Sequence, residues 1–587
     1  MTQPVSSYRT HTCGELRPDH VGQTVTLLGW VHRVRDLGGV LFFDLRDRYG
    51  LTQAVIRERN NPAQTWEKVR PEFVIRVVGT VAKRSAETVN PKLETGEVEV
   101  AVTELEILND AKTPPFPINE DTAVAEETRL RYRYLDLRRP ALQQNLILRH
   151  KVALAARQYF DAERFLEIET PILTRSTPEG ARDYLVPSRV HHGEFFALPQ
   201  SPQIFKQILM IAGMDRYFQI CRCFRDEDLR ADRQPEFTQI DVEMSFATEE
   251  LVYGVVEGAI KAMFTAAGVT VETPFARIGY DEAMLKYGSD KPDLRAGMEI
   301  SELGEHFAAS PFGVFRDAVA AGGVVRGFIV KGAAKSSRKE LDDLVDLAKQ
   351  LGASGLVWAR IAQGAVTTNA KAAGEDALRS TIAAAGGVDG DLLVMTAGDA
   401  SGVAKVLGLL RLAIAKRDNL LSPSDYRFVW VTEFPLFEYN EDEKRWDSMH
   451  HPFTSPRPQD VPLLESAPDK VRARAYDLAL NGSEIAGGSI RIHRADVQRH
   501  VFRLLGISDD DAKARFGFFL DALEFGTPPH GGIAFGLDRI VSLMCGEASI
   551  REVIAFPKTA QAIDLMAGAP SHVDDRQLRD LHIQIKK

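Results

Sequence analysis

The chain has 587 residues, which exceeds the roughly 250–300 residues at which a single hydrophobic core stops growing, so several domains are expected. With 44% hydrophobic and 26% charged residues, no apolar run of membrane-spanning length and no signal-peptide core at its start, it reads as a cytoplasmic globular protein with no membrane partner. The formal net charge of −10 argues against a nucleic-acid partner unless basic residues cluster, and the four cysteines form no CxxC pair, so neither zinc nor a disulfide is expected.

Short strand-like segments occupy the chain from Gly14 to about Leu108. They read TVTLLGWVHRV, VLFFDLRD, LTQAVIR, FVIRVVGTV and EVEVAVTELEIL, with turn-like GG, DRYG and TGE breaks. Five such strands predict a small β-barrel of the OB-fold type. Arginines concentrate on the first strands around two phenylalanines: Arg33, Arg35, Arg46, Arg48, Arg57 and Arg59, interleaved with Phe42 and Phe43. This combination suits stacking on unpaired bases, although a structural β-domain with surface arginines would show it too.

A proline-rich stretch, TPPFP, and an acidic run lie within residues 109–139, which we interpret as a linker. The arginine-rich sequence RLRYRYLDLRRP at its end faces either RNA or solvent. Apolar residues then recur at helical spacing in LQQNLILRHKVALAARQYFDAERF, and the strand-like LEIETP stops at Pro171. The segment STPEGARDYLVP at residues 176–187 has the composition of a loop that opens and closes over a substrate.

Lys206 stands where the loop sequence PQSPQ enters an apolar helix. A positive charge near a helix start is unfavourable with the helix dipole unless an anion compensates it. The pattern therefore indicates an anion site, with an ordinary surface lysine as the alternative.

The stretch Tyr217–Phe246 predicts a long β-hairpin. Its second half, TQIDVEMSF, alternates strictly and indicates a strand with one buried face. One side carries Ile240, Val242, Met244 and Phe246, and the other carries Gln239, Asp241, Glu243 and Ser245. Arg225, at the end of the first strand, and Asp241 can together hold a phosphate beside an amine, whereas the alternative is a solvated charged hairpin.

From about residue 291 to 421 the chain becomes rich in Ala and Gly and alternates helix-like and strand-like segments. These include GVFRDAV, VVRGFIV, KELDDLVDLAKQLG, SGLVWARI and DLLVMTAG. We interpret this part as an α/β domain, and we find no catalytic constellation in it.

Two later segments carry groups suited to a nucleotide. YDLALNGSEIAGGSIRIH contains Asp477 and Glu484, and two carboxylates beside a triphosphate imply Mg²⁺. In PPHGGIAFGLDRIVSLM a glycine-rich strand turns into an apolar helix, where backbone amides and Arg539 suit a polyphosphate. The adjacent His450 and His451 lack a third ligand at metal spacing and predict no metal site.

The sequence FRDE at residues 224–227, followed by a basic loop and Phe237, resembles motif 2 of the class II aminoacyl-tRNA synthetases, and GLDR resembles their motif 3. The helix and strand that stop at Pro171 resemble motif 1, which forms the dimer interface in that class. RADRQPEFTQID and GWVHRVRDLGGVLFFDLRDRYGLTQ are similar to the bacterial type of aspartyl-tRNA synthetase, and the chain is identified as a member of that family.

The resemblance implies an α+β multidomain fold with an N-terminal OB-fold β-barrel, a class II antiparallel sheet flanked by helices, and an α/β insertion domain. It assigns the anticodon-binding barrel to residues 1–108, a linker or hinge to 109–139, the catalytic domain to 140–290 and 422–559, the insertion to 291–421, and a C-terminal extension to 560–587.

The same resemblance implies roles for individual residues. L-aspartate would be bound by Glu179, Ser201, Gln203, Lys206, Arg225, Asp241, His450 and Arg491. ATP would be bound by Arg225, Asp226, Glu227, Gln234, Phe237, Glu484, Gly536, Leu537, Asp538 and Arg539, and Mg²⁺ by Asp477 and Glu484. The tRNA anticodon would contact Arg35, Phe42 and Gln53, with His32 as a further candidate.

The implied activity is attachment of L-aspartate to tRNA-Asp by a homodimer, through ATP-dependent formation of aspartyl-adenylate and transfer to the tRNA 3′ end. Some members of the family also charge tRNA-Asn, so a non-discriminating enzyme is one alternative, and a non-catalytic RNA-binding paralogue is another. Lys206 and Arg491 favour an anionic amino-acid side chain and disfavour the related lysyl and asparaginyl enzymes.

Overall fold

The computed structural model describes residues 8–57, 66–118, 122–177, 181–229 and 231–586, and the chain forms two compact units. The first unit contains Met1–Leu146 with Ala555–Thr559 and Ile563–Ala569. The second contains Ile147–Ile554 with Ala560–Ala562 and Pro570–Lys587. The domain boundaries given by the sequence analysis stay a prediction, because two units are fewer than the domains that it distinguishes. Within the described ranges, every helix is too short or too polar to span a membrane.

Five strands form a closed barrel in the first unit. They are β1 (Thr24–Leu37), β2 (Val40–Asp47), β3 (Gly50–Ile56), β4 (Val74–Lys83) and β5 (Val98–Asn109). Their order is β1-β2-β3-β5-β4, and only β3 and β5 pair in parallel. Val25, Leu27 and Phe43 are fully buried inside, because side chains alternate along each strand. The OB-fold prediction is confirmed.

Two members of the predicted basic and aromatic row on the barrel are structural. Phe43 belongs to the hydrophobic core, and the buried Arg46 donates from Nη2 to both oxygens of Glu72 at 2.9 and 3.0 Å. The expectation that they stack on or contact bases is therefore wrong for these two, because they hold the barrel together. Arg59 lies outside the described residues.

The predicted linker carries two short helices, α1 (Glu126–Arg131) and α2 (Arg133–Asp136). Arg133 is buried and its Nη1 lies 2.7 Å from the equally buried carboxylate of Asp136. Both readings of the arginine-rich segment, RNA contact and solvated face, are wrong for Arg133. Its charge is paired within the first unit, as a buried charge requires.

Helix α3 (Pro140–Ala162) contains the boundary between the units. The elements that follow it are β6 (Leu166–Glu167), β7 (Leu185–Pro187), β8 (Phe195–Ala197), α4 (Gln203–Ile211), β9 (Arg216–Phe224), β10 (Glu236–Ser245), α5 (Glu249–Ala266), β11 (Ala276–Gly279) and α6 (Tyr280–Tyr287). The predicted strand LEIETP is thus reduced to two residues, which pair in parallel with β9. Large apolar side chains around it are exposed, namely Leu154, Leu166, Ile172 and Leu173.

The insertion is a separate sheet with helices. Its elements are β12 (Ser301–Glu302), α7 (Gly313–Ala320), β13 (Val324–Val330), α8 (Arg338–Gln350), β14 (Val357–Ala362), β15 (Ala365–Thr368), α9 (Glu375–Ala384), β16 (Leu392–Gly398) and α10 (Ala400–Arg417). The strand order is β12-β13-β16-β14-β15, and two hydrophobic clusters pack against the sheet. The predicted helix-like and strand-like segments are all present as such.

The chain then returns to the main sheet. The remaining elements are β17 (Phe428–Thr432), β18 (Phe437–Asn440), β19 (Arg445–Ser448), α11 (Leu463–Ser466), β20 (Ala475–Leu480), β21 (Ser483–Ile490), α12 (Ala495–Leu504), α13 (Asp509–Leu523), β22 (His530–Gly536), α14 (Leu537–Cys545) and α15 (Asp575–Asp580).

Eight strands form the main sheet in the order β11-β17-β20-β21-β22-β10-β9-β6. They are antiparallel except for the two outermost pairs, β11 with β17 and β6 with β9. Helices α3, α5 and α14 pack their apolar residues against this sheet in the largest hydrophobic cluster. The predicted antiparallel sheet flanked by helices is confirmed, with parallel pairs at both edges.

The predicted hairpin is present, since β9 pairs antiparallel with β10. Two details of the prediction are wrong. The polar side of β10 is buried as well, with Asp241 and Glu243 both 0% exposed, because helix α4 covers it. The alternation also ends at Ser245, and Phe246 is exposed with a left-handed φ of 55°.

Candidate active site

Two adjoining cavities lie on the face of the main sheet that helix α4 borders. The larger has a volume of about 510 Å³ and the smaller about 230 Å³. Five residues line both, namely Arg225, Glu227, Gln239, Glu484 and Ala534. The two cavities therefore adjoin along these residues, which suits two substrates that react with each other.

The larger cavity brings together most residues predicted to bind the amino acid. It is lined by Ser201, Gln203, Lys206, Arg225, Asp241, His450 and Arg491, and also by Asp477 and Glu484. They come from α4 and the loop before it, from the β9–β10 hairpin, from the β20–β21 hairpin with the residue after it, and, for His450, from the segment that follows β19. Glu179 lies outside the described residues.

The smaller cavity is lined by most residues predicted to bind ATP. These are Arg225, Glu227, Gln234, Phe237, Glu484, Gly536, Asp538 and Arg539. Leu537 instead lies in the hydrophobic core, and the backbone N–H of Asp226 donates to the carbonyl of Arg182 at 3.1 Å. Asp538 already accepts from the Thr238 backbone N–H at 2.8 Å and from Arg149 at 2.5 Å, so its carboxylate ties α3 and α14 to β10.

Four buried charges form one network beneath the larger cavity. Lys206 Nζ lies 2.5 Å from Asp241 Oδ1 and 3.2 Å from Glu243 Oε2. Arg491 Nε lies 3.0 Å from Glu243 Oε1, and its Nη1 donates to Ser489 Oγ at 2.8 Å. The reading of Lys206 as a surface residue is excluded, since it is 1% exposed. Glu243 was given no role from the sequence, although its position two residues after Asp241 placed it on the same side of the strand.

Burial and the neighbouring charges shift the pKa values of the two carboxylates in this network. Burial raises the pKa of Asp241, against the opposing effect of Lys206. Burial would also raise the pKa of Glu243, but Arg491 and Lys206 outweigh it and the pKa is lowered. Glu243 is therefore a stable anion that orients both cations. Asp241 Oδ2 is buried and, in the described part of the chain, accepts no hydrogen bond, so it offers the cavity an unused acceptor.

Arg225 and Phe237 occupy the junction of the cavities and the wall of the smaller one. The Arg225 guanidinium carbon lies 5.1 Å from the centre of the Phe237 ring, which is a cation–π distance. A planar cation beside an aromatic face can hold a phosphate while the ring stacks on a base. Arg539, at the start of α14, donates to the backbone carbonyl of Glu484 and lies 3.5 Å from Asp232.

Asp477 and Glu484 fit a hard cation. A Cβ added to Gly487 would lie 2.7 Å from Asp477 Oδ1 and 3.3 Å from Glu484 Oε1, so both carboxylates reach over the same glycine. Repulsion by Asp477, followed by burial, raises the pKa of Glu484. Asp477 Oδ1 is buried and accepts no hydrogen bond from the described residues. Two crowded oxygen ligands of this kind suit Mg²⁺, although no cluster of three or more potential ligands occurs in the described ranges.

His450 connects this pair to the rest of the larger cavity. Its Nε2 lies 3.3 Å from Asp477 Oδ2, and its ring packs edge-on against Phe434. Burial would lower the pKa of His450, but the Asp477 carboxylate outweighs it and the pKa is raised.

In the first unit, the candidate anticodon residues lie on neighbouring strands of the barrel. Arg35 Nη2 lies 2.6 Å from Asp44 Oδ1 and 3.2 Å from Gln53 Oε1, and its guanidinium carbon lies 5.8 Å from the Phe42 ring centre. His32 Nδ1 lies 2.9 Å from Arg46 Nη1. Since arginine only donates, His32 Nδ1 accepts, and the neutral ring carries its proton on Nε2. Burial and then Arg46 lower the pKa of His32, which favours this neutral form.

Comparison with known families agrees with this arrangement. A family model described as tRNA synthetases class II (D, K and N) matches residues 125–560, and one described as an OB-fold nucleic acid binding domain matches residues 25–108. The chain belongs to the class II tRNA synthetases.

Two relatives within this class are similar to the chain over nearly its whole length. The chain is 54% identical over 583 residues to an aspartate–tRNA ligase of Ruminiclostridium cellulolyticum, covering 99% of this chain and 98% of the relative. It is 53% identical over 582 residues to an aspartate–tRNA(Asp/Asn) ligase of Caldanaerobacter subterraneus, covering 98% of each. The solved asparaginyl-tRNA synthetase of Pyrococcus horikoshii with asparaginyl-adenylate shares the fold, with a TM-score of 0.57, 20% identity and coverage of 94% of this chain and 98% of that one.

Substitution of Glu243 by Gln should reveal the dependence of the network on its central anion. Removing one partner of a buried ion pair should lower the free energy of unfolding at pH 7 by about 3–5 kcal/mol. The pKa of Glu243 is lowered in the fold, so its stabilisation is present above the unfolded value of roughly 4.3 and lost as the pH falls through the folded value. Urea unfolding at several pH values should show the deficit shrinking in acid.

The matched control is Glu250→Gln, which removes an exposed carboxylate paired with Arg277. Its unfolding midpoint should stay close to that of the unmodified chain. An equal loss of unfolding free energy in the two variants would contradict the assigned network. So would a loss in Glu243→Gln that stays the same at acidic pH.

Proposed function

We propose that this chain attaches L-aspartate to tRNA-Asp in two ATP-dependent steps. The observation that carries the proposal is the pair of buried cations, Lys206 and Arg491, held by Asp241 and Glu243 at one end of a cavity whose other end opens into a second cavity at Arg225. The relatives' names supply the amino acid and the tRNA, and the site supplies groups with matching charge.

Aspartate would bind in the larger cavity. Its side-chain carboxylate would meet Lys206 and Arg491, and its ammonium would meet the unused oxygen of Asp241. Arg225 would then lie beside the α-carboxylate of aspartate, on the side that faces the nucleotide. Ser201, Gln203 and His450 border this space, and Glu179 is proposed to contact the ammonium.

ATP would bind across the smaller cavity with adenine on Phe237, the α-phosphate at Arg225 and the γ-phosphate at Arg539. Glu227, Gln234 and Gly536 line the same cavity and are proposed contacts. Asp477 and Glu484 would hold Mg²⁺, which when bound offsets negative charge on the phosphates. Asp226 and Leu537 are the least suited of the candidates, since neither lines the larger or the smaller cavity.

The chemistry needs no covalent enzyme intermediate. The aspartate α-carboxylate attacks the α-phosphorus of ATP and pyrophosphate leaves, giving aspartyl-adenylate. A ribose hydroxyl at the tRNA 3′ end then attacks the aspartyl carbonyl and AMP leaves. Arg225 orients the reacting phosphate and stabilises its developing charge, and Arg539 holds the leaving pyrophosphate.

Two other functions are alternatives. A non-catalytic RNA-binding protein is disfavoured, since it would have no use for Arg225, Glu484 and Arg539 around one cavity. Charging of both tRNA-Asp and tRNA-Asn is favoured by the names of several relatives, aspartate–tRNA(Asp/Asn) ligase. His32, which presents an Nε2–H donor beside the candidate anticodon residues, is proposed to take part in that choice.

We also propose a cytoplasmic homodimer. The exposed Leu154, Leu166, Ile172 and Leu173 lie on α3, on the edge strand β6 and just after it, and an apolar patch at an open sheet edge favours burial against a second copy. The location follows from the proposed substrate, tRNA used in protein synthesis.

Substitution of Arg225 by Ala should abolish aspartate-dependent exchange of pyrophosphate into ATP. Losing the group that stabilises charge on the reacting phosphate should cost on the order of 10²–10³ or more in kcat. Arg222→Ala is a matched control, because Arg222 lies near the end of β9, three residues before Arg225, but pairs with Glu236 at 2.7 Å. Near-normal exchange by Arg225→Ala would remove the assignment.

Substitution of Phe42 by Ala should weaken aspartylation of tRNA while leaving pyrophosphate exchange intact. Loss of base stacking is worth about 1–3 kcal/mol, so the KM for tRNA-Asp should rise about tenfold. Leu108→Ala removes an exposed apolar side chain from β5 and serves as the control.

Separate assays of the unmodified protein with tRNA-Asp and tRNA-Asn decide whether it discriminates between the two tRNAs. Acylation of neither tRNA would contradict the proposed function.

A further inference from the structure

Gln239 of strand β10 has no part in the function proposed above, although it lies where the two substrates would react. It lines both the larger and the smaller cavity, as Arg225 does. It was given no role from the sequence, where it only marks the polar side of a strand. A polar side chain at this junction is within reach of both substrates.

Along β10, Gln239 lies midway between two residues that are proposed to bind different substrates. Phe237 lines the smaller cavity and would stack on adenine, and Asp241 lines the larger one and would bind the ammonium of aspartate. Side chains on one face of a strand recur at every second residue, about 6.8 Å apart, so these three share a face. Gln239 therefore lies beneath the bond that forms between aspartate and the nucleotide.

The neighbouring strand β22 leaves space above the sheet at this position. Gly536 pairs with Gln239, and Ala534 pairs with Asp241. For a Cβ added to Gly536, the nearest atom outside the adjoining residues would be Arg539 Cβ at 3.6 Å. Because these side chains are so small, a ligand can lie directly on the sheet beside the Gln239 amide.

On the other neighbouring strand, β9, a cysteine holds the oxygen end of that amide. Cys223 is fully buried, and its Sγ lies 3.2 Å from Gln239 Oε1 and 3.9 Å from Cys221 Sγ. An amide oxygen only accepts hydrogen bonds, so the thiol donates to it. The hydrogen bond with Cys221 and burial raise the pKa of Cys223, which keeps the thiol protonated and able to donate.

The nitrogen end of the same amide has no partner. Among the described residues, no group accepts a hydrogen bond from Gln239 Nε2. Because its oxygen is occupied by Cys223, the half-buried amide offers two N–H donors to the molecule that fills the junction. A fixed donor of this kind stabilises an oxygen on which negative charge develops.

We propose that Gln239 donates a hydrogen bond to the aspartyl carbonyl oxygen during transfer to tRNA, and that Cys223 positions its amide for this role. The inference rests on the proposed function and adds a catalytic residue to its second step. Cys223 is a positioning residue, because it acts through Gln239.

The second step shows where the donor acts. The ribose hydroxyl oxygen of tRNA forms a bond to the aspartyl carbonyl carbon, and the carbonyl oxygen becomes negative. The bond from that carbon to the phosphate oxygen then breaks, the carbonyl re-forms, and AMP leaves with the hydroxyl proton on a phosphate oxygen. Gln239 stabilises the negative oxygen between these two events.

The two steps differ in how the charge on this oxygen changes. In the first step the carboxylate loses charge as it attacks ATP, so a donor to its second oxygen gains nothing in the transition state. In the second step the same oxygen gains charge. Gln239 therefore accelerates mainly the transfer, because only an interaction that strengthens in the transition state raises the rate.

The test is Gln239→Met, which keeps the length of the side chain and removes the donor. Activation is measured as aspartate-dependent exchange of pyrophosphate into ATP. Transfer is measured as the single-turnover rate at which the purified complex of protein and aspartyl-adenylate charges tRNA-Asp. Transfer should slow about 100-fold, the loss expected for one such donor, whereas exchange should change by less than about threefold. Transfer at the normal rate, or equal slowing of both steps, would overturn the proposal.

A second arm tests Cys223. Cys223→Ala removes the thiol donor and should slow transfer about tenfold, whereas Cys223→Ser keeps a donor and should restore most of the rate. Adding Cys223→Ala to Gln239→Met should cause no further slowing, since the thiol acts through the amide. Cys545→Ala, at a half-buried cysteine of α14, is the control and should transfer normally.

Equal transfer rates in Cys223→Ala and Cys223→Ser would overturn the part assigned to the thiol, because a purely structural cysteine would give that result. Failure of the unmodified protein to form aspartyl-adenylate would instead overturn the proposed function.

Discussion

The buried pairing of Lys206 and Arg491 with Asp241 and Glu243 is the interaction on which the larger cavity depends. Two cations and two anions, each at most 4% exposed, balance one another, so none has to give up its charge on burial. The anions come from β10, Arg491 follows β21 and Lys206 lies in α4, so the network also fixes helix α4 to the sheet. Because every partner is held by another, both cations keep one orientation toward the cavity.

This constraint explains selectivity as a matter of charge. An aspartate side chain would bring a carboxylate to cations already fixed in place, at little cost in reorganisation. An asparagine amide brings no charge to these cations and forgoes the charge-assisted hydrogen bonds that a carboxylate would make, which costs more than a change of size. The nucleotide end is built differently. Arg225, Glu484 and Arg539 line the smaller cavity, Asp477 lines the adjoining larger one, and the phosphates themselves would complete the charge balance.

Local sequence patterns predict most of the fold. The barrel strands, the β9–β10 hairpin and the elements of the insertion each follow from alternation or helical spacing over a few residues. The errors arise where distant chain segments meet. The acidic side of β10 does meet cations, as its charge suggests, but nothing near Glu243 in the sequence shows that α4 also buries this side of the strand. Arg46 resembles its exposed neighbours in sequence, and only the fold shows that Glu72 lies beside it.

Most residues of the candidate site could be predicted from the sequence, but those that reach the site only through tertiary packing could not. Charged groups such as Arg225, Asp241, Lys206 and Arg539 stand out beside strands and helix starts, and the resemblance to a known family supplied their roles. Asp290 lies in an ordinary turn after a helix, and nothing in the sequence around it indicates that the fold brings it to the larger cavity.

The most direct test of this account is the amino-acid dependence of pyrophosphate exchange by the unmodified protein, measured with aspartate, asparagine and lysine at saturating Mg²⁺ and ATP. The paired cations predict that aspartate alone supports rapid exchange, with asparagine disfavoured by on the order of 10⁴ or more in kcat/KM. Exchange with asparagine or lysine at a comparable rate, or no exchange with aspartate, would contradict the central role assigned to Lys206 and Arg491.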